Sequence, residues 1–122
     1  MIGVSRRVQA WAYSGVADLR RGFDGLSALV REAMGHDELS GDLFLFVSRD
    51  RRRAKVLLWD GTGLCVYAKR LERGRFADLS RRGSGSSLQL TVSELQLFLE
   101  GSTLVGKVAL SPPNFVVGRK SF

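Results

Sequence analysis

Three short apolar runs close together constrain this chain most: LFLFV (43–47), AKVLLW (54–59) and LCVYA (64–68). SRDRRR separates the first pair and DGTG the second. Runs of five or six apolar residues bounded by turn signals read as strands. Asp and Gly tolerate the positive φ of a tight hairpin, so 60–63 predicts a turn. The segment therefore predicts an antiparallel meander whose first connection is loaded with arginine. Its last strand runs out into a second basic cluster, KRLERGR, before Phe76.

The flanks supply helices. VQAWAY (8–13) alternates and reads as a first strand ending at Ser14-Gly15. Phe23, Leu26, Val30, Ala33 and Met34 recur at helical spacing, which predicts an amphipathic helix over 19–34 with Asp18 as N-cap and Gly35 as stop. Gly22 and Gly25 are unfavourable inside a helix; either the helix approaches another backbone closely or it begins after Gly22. Arg20 and Asp24 have the spacing of a helical ion pair. Leu88-Gln89-Leu90 reads as a short strand or an extended lead-in. Thr91 and Glu94 form a capping box for a helix ending at Gly101, with Val92, Leu95, Phe98 and Leu99 inward. Residues 80–87, SRRGSGSS, predict a flexible loop, and Pro112-Pro113 interrupts regular structure near the end. The order β-α-β-β-β-α defines an α+β domain with an antiparallel sheet over residues 1–101, followed by a loosely held tail at 102–122. A chain of 122 residues is ample for one such core.

Charge is localised. Eleven basic residues and four acids lie between Arg49 and Arg82, an excess equal to the whole formal net charge of +7. A concentrated positive field favours a polyanion, most simply nucleic acid. Guanidinium groups pair with phosphate in a bidentate way. The candidate nucleic-acid contacts are Arg49, Arg51, Arg52, Arg53 and Lys55 in the first cluster, and Lys69, Arg70, Arg73 and Arg75 in the second. A meander brings the two clusters to one end of the sheet. Tyr67 offers stacking against bases, whereas Phe76 suits the core. A basic rim that discourages sheet-to-sheet aggregation is the competing structural reading.

Catalytic signals are missing. The single histidine, His36, sits in a polar stretch, and the single cysteine, Cys65, reads as a buried thiol. The sequence has no HExxH, CxxC or GxSxG. The carboxylates are scattered, and a two-metal nuclease site can be assembled from Asp24, Asp60 and Glu72 on paper alone. Gly101 to Val108 approximates a phosphate-binding loop but lacks the final hydroxyl and follows a helix instead of a strand. No metal and no cofactor is expected. No signal peptide or membrane span is visible, so a cytoplasmic protein is expected.

Several ordered blocks carry a family resemblance: VADLRRGFDGLSALV, then SGDLFLFVSRDRRRAKVLLWDGTGLCVYAKRLERGRF, then LTVSELQLFLEG. Within them stand Asp18, Arg20, Gly22, Asp24, Gly25 and Leu26; Trp59, Asp60 and Gly61; and Tyr67, Lys69, Arg70, Leu71, Glu72, Gly74 and Phe76. Over roughly residues 8–101 the chain resembles the small accessory protein, the second open-reading-frame product, of the insertion-sequence-sixty-six transposons. The resemblance implies a non-catalytic factor for DNA transposition and recombination, acting beside a separate transposase that carries the acidic catalytic residues. DNA at the transposon ends is the first expected partner. The alternative is a protein-interaction module that docks on the transposase without touching DNA. After Gly101 the chain departs from the tryptophan- and arginine-rich tail usual in that family.

Overall fold

The computed structural model describes residues 7–79 and 85–101. The elements are β1 (Ala10–Tyr13), α1 (Phe23–Ala28, continuing as a π-helical turn over Leu29–Met34), β2 (Leu43–Val47), β3 (Arg53–Trp59), β4 (Leu64–Arg70), β5 (Ser87–Leu90) and α2 (Val92–Leu99). The strands form one sheet in the order β4-β3-β2-β1-β5.

The fold is α+β, as expected, and β2-β3-β4 is the expected antiparallel meander. Two features differ. Leu88-Gln89-Leu90 is a full strand, β5, paired antiparallel to β1 over Ala10↔Leu90 to Tyr13↔Ser87. β1 runs parallel to β2, so the sheet is mixed and not wholly antiparallel. The cause is the connection: the chain between β1 and β2 is a helical crossover, which returns the second strand in the direction of the first.

Alternation along the strands splits the core between two faces. On one, Phe44, Phe46 and Leu57 pack against Leu26, Val30 and Met34 of α1. On the other, Ala10, Ala12, Leu45, Ala54 and Val56 meet Leu95 and Phe98 of α2, with Phe76 and Leu79 of the segment after β4. The molecule is thus three layers thick. Phe76 stacks on Phe98 with centroids 5.0 Å apart. Its place is the core, as its position after Arg75 suggested.

Helix α1 begins at Phe23, with Gly22 as an N-cap that makes no side-chain bond. It does not extend back to 19. Asp18 instead holds a local turn by accepting from Arg20 N at 3.0 Å, and it pairs with the Arg20 guanidinium at 2.9 Å. Arg20 is therefore engaged two residues back and not with Asp24. Phe23, the first residue of α1, is 51% exposed instead of inward. Gly35 ends the helical segment with φ 74°, and His36 N donates to Val30 O at 2.9 Å. Thr91 and Glu94 complete both halves of the capping box on α2. Val92, on the first turn, is exposed, whereas Leu95 and Phe98 are buried.

The last residue of the loop expected over 80–87 already belongs to a strand. Ser87 opens β5, and Ser14 N donates to Ser86 O at 3.1 Å. Residues 80–84, with Arg81 and Arg82, lie outside the described residues, as do the tail at 102–122 and most of the Gly101–Val108 near-match.

Candidate nucleic-acid interface

β1, β2 and β4 end, and β3 begins, at one end of the sheet. The basic clusters meet there. Arg53 is paired in register with Arg70, so the last residue of β4 lies beside the first of β3. The chain after β4 then folds back along the 48–52 connection. Leu71 N donates to Arg52 O at 2.8 Å, and Phe76 N to Arg51 O at 2.7 Å. The Arg51 guanidinium returns a bond to Phe76 O at 3.2 Å. Topology and these bonds make one surface of the two clusters.

The connection is internally hydrogen-bonded. Asp50 accepts from Ser48 Oγ at 2.7 Å and from Arg52 N at 3.0 Å. Arg53 N donates to Ser48 Oγ at 3.1 Å, and Arg51 N to Ser48 O at 3.0 Å. The Ser48 hydroxyl, then the Arg52 amide, holds the Asp50 carboxyl below the usual carboxylate range, so it stays ionised among the arginines. Arg51 adopts φ 59°, an uncommon conformation for a residue with a side chain. That strain is what lets the chain turn while its guanidinium reaches Phe76.

The nine candidates separate into three groups. Arg49, Arg52, Arg53, Arg73 and Arg75 are exposed. Arg70 is exposed but bonds Glu72 through Nε at 3.3 Å, and Arg51 is half-buried in the bond to Phe76. The two lysines serve the fold. Lys55 Nζ, on the α1 face, donates to Leu19 O at 2.7 Å and Arg21 O at 3.2 Å. Lys69 Nζ, on the opposite face, donates to Leu99 O at 2.7 Å, at the C-terminus of α2. A cation there neutralises the negative end of the helix. Both lysines sit one or two positions inside strands, where carbonyls are within reach of the side chain, while the exposed arginines sit in connections or at strand ends.

Lys55 also draws the 19–21 segment to this end, adding the exposed Arg20 and Arg21. Sequence reading assigned these to a helix face. Only Gly22 signalled that they precede the helix. An open groove at the first cluster is lined by Tyr13, Val16, Ser48, Arg49, Arg51 and Leu79. Tyr67 is exposed on β4, in register with Val56.

The carboxylates do not converge. Asp60 and Glu72 flank opposite ends of β4, whose seven residues span roughly 20 Å. Among the described residues no group of three or more His, Cys, Asp or Glu is arranged to hold a metal ion. Asp60 instead closes the β3–β4 turn: its carboxylate accepts from Thr62 N and Gly63 N, each at 2.9 Å, and from Cys65 Sγ at 3.4 Å. Those backbone bonds draw its pKa down to about 2, while the same carboxylate pushes the Cys65 thiol up. Cys65 is partly exposed instead of buried. His36 packs on Trp11 with centroids 4.1 Å apart, so the lone histidine is a half-buried neighbour of the core. No described helix is long and apolar enough to cross a membrane.

The described residues thus form a small three-layer α+β domain with arginines gathered at one end of its sheet. The chain is a member of the family described as IS66 Orf2 like protein, which matches residues 8–108. That family has an accessory role associated with transposition of insertion sequences and is not known as a catalytic one. Two proteins of Sinorhizobium fredii, both described as uncharacterized, are similar to this chain. Protein y4hO is 35% identical over 101 residues, covering 83% of this chain and 86% of its own length. Protein y4jC is 40% identical over 76 residues, 62% of this chain and 65% of its own length. No solved structure matches.

Proposed function

We propose that the protein serves transposition by binding DNA through the basic end of its sheet, without performing strand chemistry itself. The observation that carries this reading is the in-register pair Arg53 and Arg70, with the return of Leu71–Phe76 along Arg51 and Arg52. Five exposed arginines thereby share one surface on a hydrogen-bonded frame. A rim that only kept the protein soluble has no need of so hydrogen-bonded a frame, whereas phosphate contacts gain from arginines on a fixed backbone path.

The test is binding of a fluorescent duplex by the wild type and by the triple variant Arg49→Gln, Arg52→Gln, Arg53→Gln. All three side chains are exposed. Loss of three phosphate contacts lowers the slope of log K against log salt by about 2.7, and weakens binding at least ~10-fold at physiological salt. Unchanged affinity would move the function to docking on the transposase.

A further inference from the structure

The reach of the basic end points to how it would hold DNA. Arg21 belongs to the layer on the α1 side, tied down through Lys55. Arg53 and Arg70 lie in the sheet. Arg73 and Arg75 belong to the return segment whose Phe76 packs in the core on the α2 side. A sheet with a layer on each face is roughly 20 Å through, since helices and packed layers are about 10 Å each. The major groove is only about 12 Å wide.

Among the described residues, the β2–β3 connection does not project as a free hairpin. The connection between β2 and β3 leaves from the middle of a five-stranded sheet. It is held on one side by Leu71 and Phe76, and Ala17 N ties the adjoining Val47 O at 3.2 Å. Neither basic cluster carries a side-chain amide. Gln89 Nε2 donates to Gln9 Oε1 across β5 and β1, and Gln96 is on α2. Arginines spread wider than the groove, with no Asn or Gln among the two basic clusters to read adenine, are placed to meet the phosphate rows.

We infer that this end is a saddle for the duplex backbone, spanning a groove from Arg21 on one row to Arg73 and Arg75 on the other. It binds DNA without reading its sequence. The inference rests on the DNA-binding reading above and goes further: choice of the transposon end belongs to another component, and this protein supplies affinity and shape. Arg21, from a connection far in sequence from either basic cluster, becomes a DNA contact.

The experiment is fluorescence anisotropy with two duplexes of about 25 base pairs, one from the transposon end and one with the same bases scrambled, titrated between about 50 and 300 mM salt. The expected result is equal affinity within about threefold and the same steep salt slope for both, with Arg21→Gln and Arg75→Gln each lowering that slope by about 0.9. A tenfold or greater preference for the transposon end would overturn sequence-blind binding while leaving DNA binding intact. A slope that responds to Arg75→Gln but not to Arg21→Gln would overturn the saddle. Binding of neither duplex at about 50 mM salt would remove the DNA-binding reading, and this inference with it.

Discussion

Arg53 and Arg70 face each other across β3 and β4, two like charges in register at the end of the sheet. Like charges directly opposite on a sheet are destabilising. The fold tolerates the repulsion partly through Glu72, which bonds Arg70 at 3.3 Å. A pair that opposes folding yet builds the basic surface predicts a trade-off. Arg53→Glu stabilises the protein by roughly 0.2–1 kcal/mol in urea unfolding and weakens DNA binding several-fold. A variant that loses both stability and binding would show that Arg53 serves packing instead.

Lys69 tests the separation of structural from functional cations. Its bond to Leu99 O caps the last turn of α2. Lys69→Met keeps the stem and removes the charge, so it lowers stability by about 1–2 kcal/mol through loss of a charged hydrogen bond. The salt dependence of DNA binding stays as in wild type. A slope reduced by about 0.9 would return Lys69 to the DNA contacts.

Acid sensitivity follows from Asp60 and Asp18. Backbone bonds from Thr62 and Gly63 lower the first to about 2, and the Arg20 side chain lowers the second to about 2. A depressed carboxylate pKa contributes stability that is complete above the unfolded value near 4 and is lost as pH falls toward 2. Both groups are exposed, so solvent screening keeps the effect small. Urea midpoints fall between about pH 4 and 2 in the wild type. Asp60→Ala lowers the midpoint at pH 7, flattens that fall, and leaves DNA affinity unchanged, because the turn is at the other end of the sheet from the arginines. Metal-dependent DNA cleavage abolished by Asp60→Ala would contradict the non-catalytic reading.

Thr91→Ala removes the hydroxyl that accepts from Glu94 N at 3.0 Å. Loss of an N-cap destabilises by about 1 kcal/mol. Urea unfolding should show that decrease with unaltered DNA affinity, since α2 begins away from the basic end.

The meander, the capping box and the meeting of the two arginine clusters were legible in sequence because each depends on local signals: apolar runs, a Thr-x-x-Glu spacing and the reversal of direction at hairpins. β5 was only half legible. Four residues with one turn of alternation acquire strand identity from pairing with β1, a partner more than seventy positions away. The start of α1 was ambiguous for a related reason. Helical spacing extends through Leu19, but Asp18 bonds its own neighbour Arg20, and Gly22 offers no cap to prolong the helix. Lys55 and Lys69 looked like members of the basic clusters because spacing records charge and not the carbonyl each side chain finds. The same gap hid Arg20 and Arg21, which reach the basic end through Lys55.

Chemical-shift mapping of backbone amides in the 15N-labelled protein during duplex addition locates the contact surface directly. Perturbations concentrated at Arg49–Arg53, Arg70–Phe76 and Arg20–Arg21 are expected, with Ser40–Asp42 and the Asp60–Gly63 turn at the opposite end unmoved. Shifts centred on that opposite end, or none at a DNA excess, would contradict binding through the basic end of the sheet.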